Sequence, residues 1–316
     1  MKREIDRRAF LGAGVAAAAA GGMIAAEASP DAARSQRATG AAQENATIQD
    51  RATVPTPAAT PARGALRQSV ARWCFGAWNL DTLCEHAKSC GLVGVDLLSE
   101  NEWSIPAKHG LVCTLANGPC TIAEGFNRPQ HHDRLVAECE RLLPLVADAG
   151  IERMIVFSGN RAGMSDADGL THCAAGLRRV MPIAERVNVT VVMELLNSKI
   201  DHRDHMCDRS EWGAALVRSV GSPRFKLLYD IYHAQIMEGD VIRTIRTHAD
   251  AIGHYHTAGV PGRHELDDRQ ELQYDAICRA IAETGFRGVV AHEFLPRGDP
   301  LEGLRQAVAR CTIPLS

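Results

Sequence analysis

No Cys-x-x-Cys pair occurs among the ten cysteines of this chain, at positions 74, 84, 90, 113, 120, 139, 173, 207, 278 and 311. That removes the common zinc and redox-motif signatures. Several of these cysteines sit inside apolar runs such as "RWCFGAW" and "LVCTLAN", where a buried free thiol is the ordinary outcome. Cys84 and Cys90 lie six apart, a spacing that points them away from one helical face. No obligatory disulfide is expected. Charge of one sign is also missing: 35 Lys and Arg stand against 38 Asp and Glu, a formal net charge of -3. The basic face that nucleic-acid binding usually needs is therefore not signalled, and no nucleic-acid partner is expected.

Large apolar side chains are almost missing from residues 29–67, which are mostly Ala, Thr, Pro, Gln and Arg. Such a segment buries too little surface to offset its ordering entropy and reads as a disordered linker. Ahead of it, "MKREIDRRAFLGAGVAAAAAGGMIAAEA" has a basic start, Arg7-Arg8, Phe10-Leu11, an Ala/Gly-rich run and a closing Ala26-Glu27-Ala28. This resembles a twin-arginine export signal with a small-x-small cleavage site. Its apolar run borders on spanning length, but Ala and Gly make it too weakly apolar for a good membrane anchor. The expectation is a signal peptide over 1–28, the twin-arginine export machinery as a partner, and an exported, periplasmic protein. The resemblance implies export of an already folded protein, which suits a metalloprotein.

From about residue 68 to 316 the pattern changes. Eight short β-rich runs alternate with helical spacing: 71–78, 94–98, 111–117, 153–159, 189–195, 225–230, 252–259 and 288–294. Between them, 132–150 places Leu135, Val136, Cys139, Leu142 and Leu143 near i, i+3, i+4, i+7 spacing and ends at Gly150, which is the signature of an amphipathic helix with a left-handed stop. Residues 169–187 read the same way. Continuous apolar strands imply a sheet buried on both faces, hence parallel strands. Eight β/α repeats over about 250 residues match a (β/α)₈ TIM barrel in one domain. A doubly wound open sheet is the alternative; it often carries a Gly-rich phosphate turn after its first strand, and here that place holds "NLDTLC".

Barrel enzymes carry their chemistry at the C-terminal ends of the strands. Strand five ends at Glu194, strand six at Asp230, strand seven carries His254 and His256, and strand eight ends with His292-Glu293. Three carboxylates and an imidazole on four successive strands can converge on one point, where like charges at short range need a cation. Oxygen ligands with one nitrogen suit Mn²⁺ or Mg²⁺, with Co²⁺ or Zn²⁺ compatible. Of the two strand-seven histidines, which alternation puts on one face, His256 is nearer the strand end and is favoured; His254 packs one layer below. His292 points the opposite way from Glu293, toward the helices. Arg263, in the loop "TAGVPGRHE", is placed to clamp an oxygen-rich substrate, because guanidinium matches carboxylate in a bidentate way.

"VTVVMELLN", "LLYDIYHAQIMEGD", "IGHYHTAGVPGRHE" and "GVVAHEFLP" together resemble the hydroxypyruvate isomerase branch of the xylose isomerase-like TIM barrels. The resemblance implies Glu194, Asp230, His256 and Glu293 as divalent-metal ligands, Glu194 and Glu293 as the proton-transfer pair, and His233 with Arg263 as substrate contacts. The implied reaction is isomerisation of a small hydroxy-carbonyl compound, hydroxypyruvate to tartronate semialdehyde, through an enediolate. Two departures stand out. The branch usually has Gln where His256 stands, whereas related keto-sugar 3-epimerases have His; and its Glu-Pro-x-Asn is here Glu194-Leu195-Leu196-Asn197. With the export signal, these keep an exported keto-sugar 3-epimerase or keto-glycoside lyase as the alternative, and a non-catalytic sugar-binding barrel behind it. Apurinic endonucleases share the barrel and a DxxH motif, but need more histidines at earlier strand ends than "VDLL" and "TLAN" offer. A homo-oligomer is compatible with all of these readings.

Overall fold

The computed structural model describes residues 66–313. The signal peptide expected over 1–28 and nearly all of the linker expected over 29–67 lie outside the described residues. Eight strands close into a barrel: β1 (Arg67–Ala71), β2 (Gly94–Leu98), β3 (Val112–Ala116), β4 (Arg153–Val156), β5 (Thr190–Glu194), β6 (Phe225–Asp230), β7 (Ile252–Thr257) and β8 (Val289–His292). Each pairs in parallel with its neighbour in sequence, and β1 pairs with β8 to complete the ring. The helices outside are α1 (Leu80–Ser89), α2 (Ile105–Lys108), α3 (Pro129–Asp148), α4 (Asp166–Val187), α5 (Ser210–Val220), α6 (Ile231–Met237), α7 (Val241–Thr247), α8 (Tyr274–Glu283) and α9 (Pro300–Cys311).

Local chemistry explains the element ends. Asn79 accepts a hydrogen bond from the Thr82 amide at 2.8 Å and starts α1, and Ser165 does the same for α4 through the Asp168 amide; such caps satisfy amides that have no partner inside the helix. The stripe on α3 that the spacing marks, Leu135, Val136, Cys139, Leu142 and Leu143, is buried, each leucine contributing about 1.5–3 kcal/mol of transfer free energy. Gly150, at φ +72°, takes the left-handed position after that helix, where only glycine sits without a Cβ penalty. All ten cysteines are free, and all but Cys90 are buried.

One strand differs from the sequence reading. The first run, 71–78, is not a strand: β1 is Arg67–Ala71, and Arg72–Phe75 forms a 3₁₀ turn above it. The apolar residues of this stretch pack on the barrel rim instead, Phe75 stacking on Trp78 at 5.3 Å and meeting Phe294 edge-on at 5.5 Å. β1 itself hides from a hydropathy pattern because neighbouring residues on its two faces are polar and bonded: Ser69, facing inward, donates to Asp96, and Gln68, facing the helices, bonds His292 and Thr312. The barrel thus begins at Arg67, one residue before the expected boundary.

Candidate active site

Glu194 is the last residue of β5, Asp230 the last of β6, His256 the last but one of β7, and Glu293 follows β8. Parallel pairing sets Asp230 beside His256 and His256 beside Ala291, two residues before Glu293. One donor atom from each of the four lies within 4.8 Å of the others, and all four residues are buried. His256 Nδ1 is 3.4 Å from Glu194 Oε1 and 2.7 Å from Glu293 Oε2, yet makes no hydrogen bond of proper geometry. Two carboxylates thus stand at ion-pair distance from one buried imidazole nitrogen.

Asp230 splits its two oxygens. Oδ1 caps α6, accepting from the amides of Tyr232 at 2.8 Å and His233 at 3.4 Å; Oδ2 faces the cluster and accepts from Arg263 at 2.9 Å. Arg263 is buried and is the cation of the site: the same Nη2 donates to Glu293 Oε2 at 2.5 Å, Nη1 reaches His233 Nε2 at 2.9 Å, and Nε donates to the Glu293 carbonyl at 3.3 Å. Its guanidinium lies over the rings of Trp73 and Tyr232, 5.3 and 5.2 Å from their centroids. Arg263 holds φ +61°, an uncommon region for a residue with a Cβ. The loop that carries it is tight: a Cβ on Gly259 would run into the Glu265 carbonyl. Both nitrogens of His233 are engaged, Nε2 with Arg263 and Nδ1 with Asn197 Nδ2 at 2.6 Å. The residue read as a substrate contact therefore also orients the arginine.

Three carboxylates and one guanidinium leave this buried cluster short of positive charge. Burial pushes the Asp230 carboxyl up to about 7; Glu293 and Glu194 add to the rise and Arg263 opposes it. Burial would lower the His256 imidazole, but Glu293, Asp96 and Glu194 together hold it well above its ordinary value. A divalent cation would relieve both, and three carboxylate oxygens with one imidazole nitrogen are a fitting donor set for Mn²⁺ or Mg²⁺. His254 does pack one layer below, its Nε2 2.5 Å from Asp96 Oδ2. His292 turns away from the centre, bonding Thr257 at 3.0 Å and Gln68 at 2.9 Å, and burial pushes it down to about 3.

Two residues of this neighbourhood escape the sequence pattern. Trp73 Nε1 donates to Glu293 Oε1 at 2.5 Å, but it follows β1, in the stretch whose composition imitates a strand. Asp96 lies inside β2, fully buried, and not at the strand end where a barrel's chemistry is expected. A lone carboxylate within an apolar strand is the signal that could have found it.

A closed parallel barrel with a carboxylate-rich, imidazole-bearing centre at the C-terminal strand ends is the architecture of a TIM barrel with its candidate active site in the usual place. The chain belongs to the xylose isomerase-like TIM barrel family, whose sequence profile matches residues 104–312. It is 33% identical over 128 residues to the putative hydroxypyruvate isomerase of Homo sapiens, covering 40% of this chain and 46% of that protein, so less than half of the human relative is spanned. Against the hydroxypyruvate isomerase of Escherichia coli K12 it is 26% identical over 245 residues, 73% of this chain and 93% of that one. Among solved structures, the 3-keto-D-glucoside 4-epimerase of E. coli superposes with a TM-score of 0.66 at 19% identity, over 77% of this chain and 98% of that one, a likeness of fold.

Proposed function

We propose that this chain is a divalent-metal-dependent isomerase of a small hydroxy-carbonyl acid, of the type that converts hydroxypyruvate to tartronate semialdehyde. The observation that carries the reading is the convergence of Glu194, Asp230, His256 and Glu293 within 4.8 Å of one another; the kinship with proteins named hydroxypyruvate isomerase supplies the reaction type. Mn²⁺ or Mg²⁺ held by these four residues would act as a Lewis acid on substrate oxygens. Glu194 and Glu293, arriving from β5 and β8, are the proton carriers: one takes the carbon-bound proton beside the carbonyl, the other returns a proton at the neighbouring carbon, and the hydroxyl proton passes from the oxygen that becomes the new carbonyl to the oxygen of the old one. Trp73 and Arg263 fix the Glu293 side chain from both oxygens. Arg263, steadied by His233 and by two aromatic faces, supplies positive charge for the substrate carboxylate and for the oxygen that becomes negative on proton removal. Export through the twin-arginine route belongs to the same proposal.

The test is the full chain loaded with Mn²⁺ or Mg²⁺ and offered hydroxypyruvate, with products followed by proton NMR. Formation of tartronate semialdehyde is expected. Metal-loaded protein inactive on hydroxypyruvate, 2-oxo-tetronate and a panel of ketoses overturns the reading.

A second reading, keto-sugar epimerisation at the same site, is favoured by one observation: an imidazole, His256, stands in the ligand set in the place where the related epimerases have it. Return of the proton to the same carbon from the opposite face would give it, and solvent deuterium at the epimerised carbon separates the two.

A further inference from the structure

Beneath the candidate metal centre lies a second polar cluster that the proposed reaction does not use. Asp96 stands inside β2 with no exposed surface. The β2–β3 register shifts on both sides of it, between Val95 and Asp96 and between Asp96 and Leu98, and the intervening Leu97 takes φ +62°. A bulge of this kind re-aims a side chain, and a leucine in the left-handed region is a strain that folded proteins concentrate at functional positions. Here the side chain so placed is Asp96, in the barrel interior.

Four donors meet its carboxylate. Ser69 Oγ of β1, at 2.5 Å, and Thr114 Oγ1 of β3 donate to Oδ1; His254 Nε2, at 2.5 Å, and His256 Nε2, at 3.4 Å, approach Oδ2. A carboxylate offers about four lone-pair positions, so Asp96 is filled by the protein. Although Asp96, His254 and His256 also stand within 4.8 Å of one another, this carboxylate is a holder of side chains rather than a ligand.

The consequence falls on His256, the ring common to both clusters. A neutral imidazole has one N–H and one lone pair. Carboxylates stand at both ring nitrogens, Asp96 at Nε2 and Glu194 and Glu293 at Nδ1; a cation held by the two glutamates would take the Nδ1 lone pair and leave the one proton of the neutral ring on Nε2, against Asp96. Ligating histidines are commonly fixed in this way by a carboxylate behind them, and losing that partner weakens metal binding about 10–100-fold. We infer that Asp96 is a positioning residue that locks His256 in the tautomer presenting Nδ1 to a divalent cation, with Ser69, Thr114 and His254 holding Asp96 in place. This rests on the metal centre proposed above.

Two measurements decide it. In the full chain labelled with ¹⁵N-histidine and loaded with ¹¹³Cd²⁺, the inference expects cadmium coupling to His256 Nδ1 and a low-field proton on Nε2. Coupling through Nε2, or an unprotonated Nε2, overturns the inference alone; coupling to neither nitrogen of His256 overturns the metal-centre reading and the inference with it. In parallel, Asp96→Asn turns an amide N–H₂ toward groups that donate. Its Mn²⁺ dissociation constant by titration calorimetry is expected to rise about 10–100-fold with a native circular dichroism spectrum. A folded Asp96→Asn that binds Mn²⁺ as the unaltered chain does overturns the inference; where that variant does not fold, the NMR experiment on the unaltered sequence decides.

Discussion

His256 Nδ1 lies 2.7 Å from Glu293 Oε2 without forming a hydrogen bond to it, and Glu194 Oε1 stands 3.4 Å from the same nitrogen. Both carboxylates converge on this one buried imidazole nitrogen. The two glutamates flank it from β5 and β8. Glu194→Gln and Glu293→Gln keep the volume but remove the proton acceptor, and each is expected to lower kcat by about 10²–10⁴-fold. Steady-state kinetics of metal-loaded variants check this; full activity in either one would remove that glutamate from the proton-transfer pair.

Asp230 offers a way to separate stability from metal binding. Asparagine caps a helix about as well as aspartate, so Asp230→Asn keeps the bonds from the Tyr232 and His233 amides while removing a ligand charge. Asp230→Ala removes both. The alanine variant is expected to lose about 1 kcal/mol more in urea unfolding of the metal-free protein, and both are expected to bind Mn²⁺ at least tenfold more weakly. Equal stability of the two variants would show that the cap contributes nothing.

Arg263→Lys keeps a positive charge but loses the planar fork that now touches Asp230, Glu293 and His233 together. Lysine bears the left-handed backbone no worse than arginine does, so the fold should persist. For an acid substrate, KM is expected to rise about tenfold or more. An unchanged KM would mean that Arg263 serves the glutamates and not the substrate.

His205 gives a pH signature of stability. Burial pushes its imidazole down from 6.5 to about 4, and Glu194 only partly opposes this. Below pH 6.5 the unfolded chain takes up a proton that the native chain refuses until about pH 4. Unfolding is thus linked to proton uptake, and stability falls as pH drops from 6.5 to 4, by about 3 kcal/mol for a shift of this size. His205→Gln is expected to flatten that slope by one proton in urea unfolding followed at successive pH values; an unaltered slope would show that His205 is not the group responsible.

Metal removal supplies a fifth check. Dialysis against a chelator is expected to lower the melting temperature, and re-addition of Mn²⁺ at a hundredfold its dissociation constant is expected to restore about 2.7 kcal/mol. A melting temperature indifferent to both treatments would show that no ion is held in the native state.

Much of this site is legible from residue order because a parallel barrel reduces a three-dimensional question to a linear one. Glu194, Asp230, His256 and Glu293 each sit at or beside the end of an apolar strand, and strand ends of a barrel are neighbours. Asp96 and Trp73 could not be read in that way. Asp96 is one inward residue inside a strand whose bulge and strained Leu97 are tertiary features. Trp73 reaches Glu293 across 220 positions of sequence, from a turn whose apolar composition imitates a strand.

Alternation and periodicity by themselves marked seven of the eight strands and the side chains that crown the last four, because burial of a parallel strand on both faces leaves its mark along the run; β1, with polar and bonded residues, carries no such mark. Tertiary structure alone decided how those crowns are wired. Asp230 divides its oxygens between a helix cap and the cluster, Arg263 folds inward to neutralise two carboxylates, and Asp96 stands behind His256. Each of these depends on a distance between atoms far apart in the chain, and hydrogen bonds and charge interactions that act over a few ångströms leave no periodic trace in sequence.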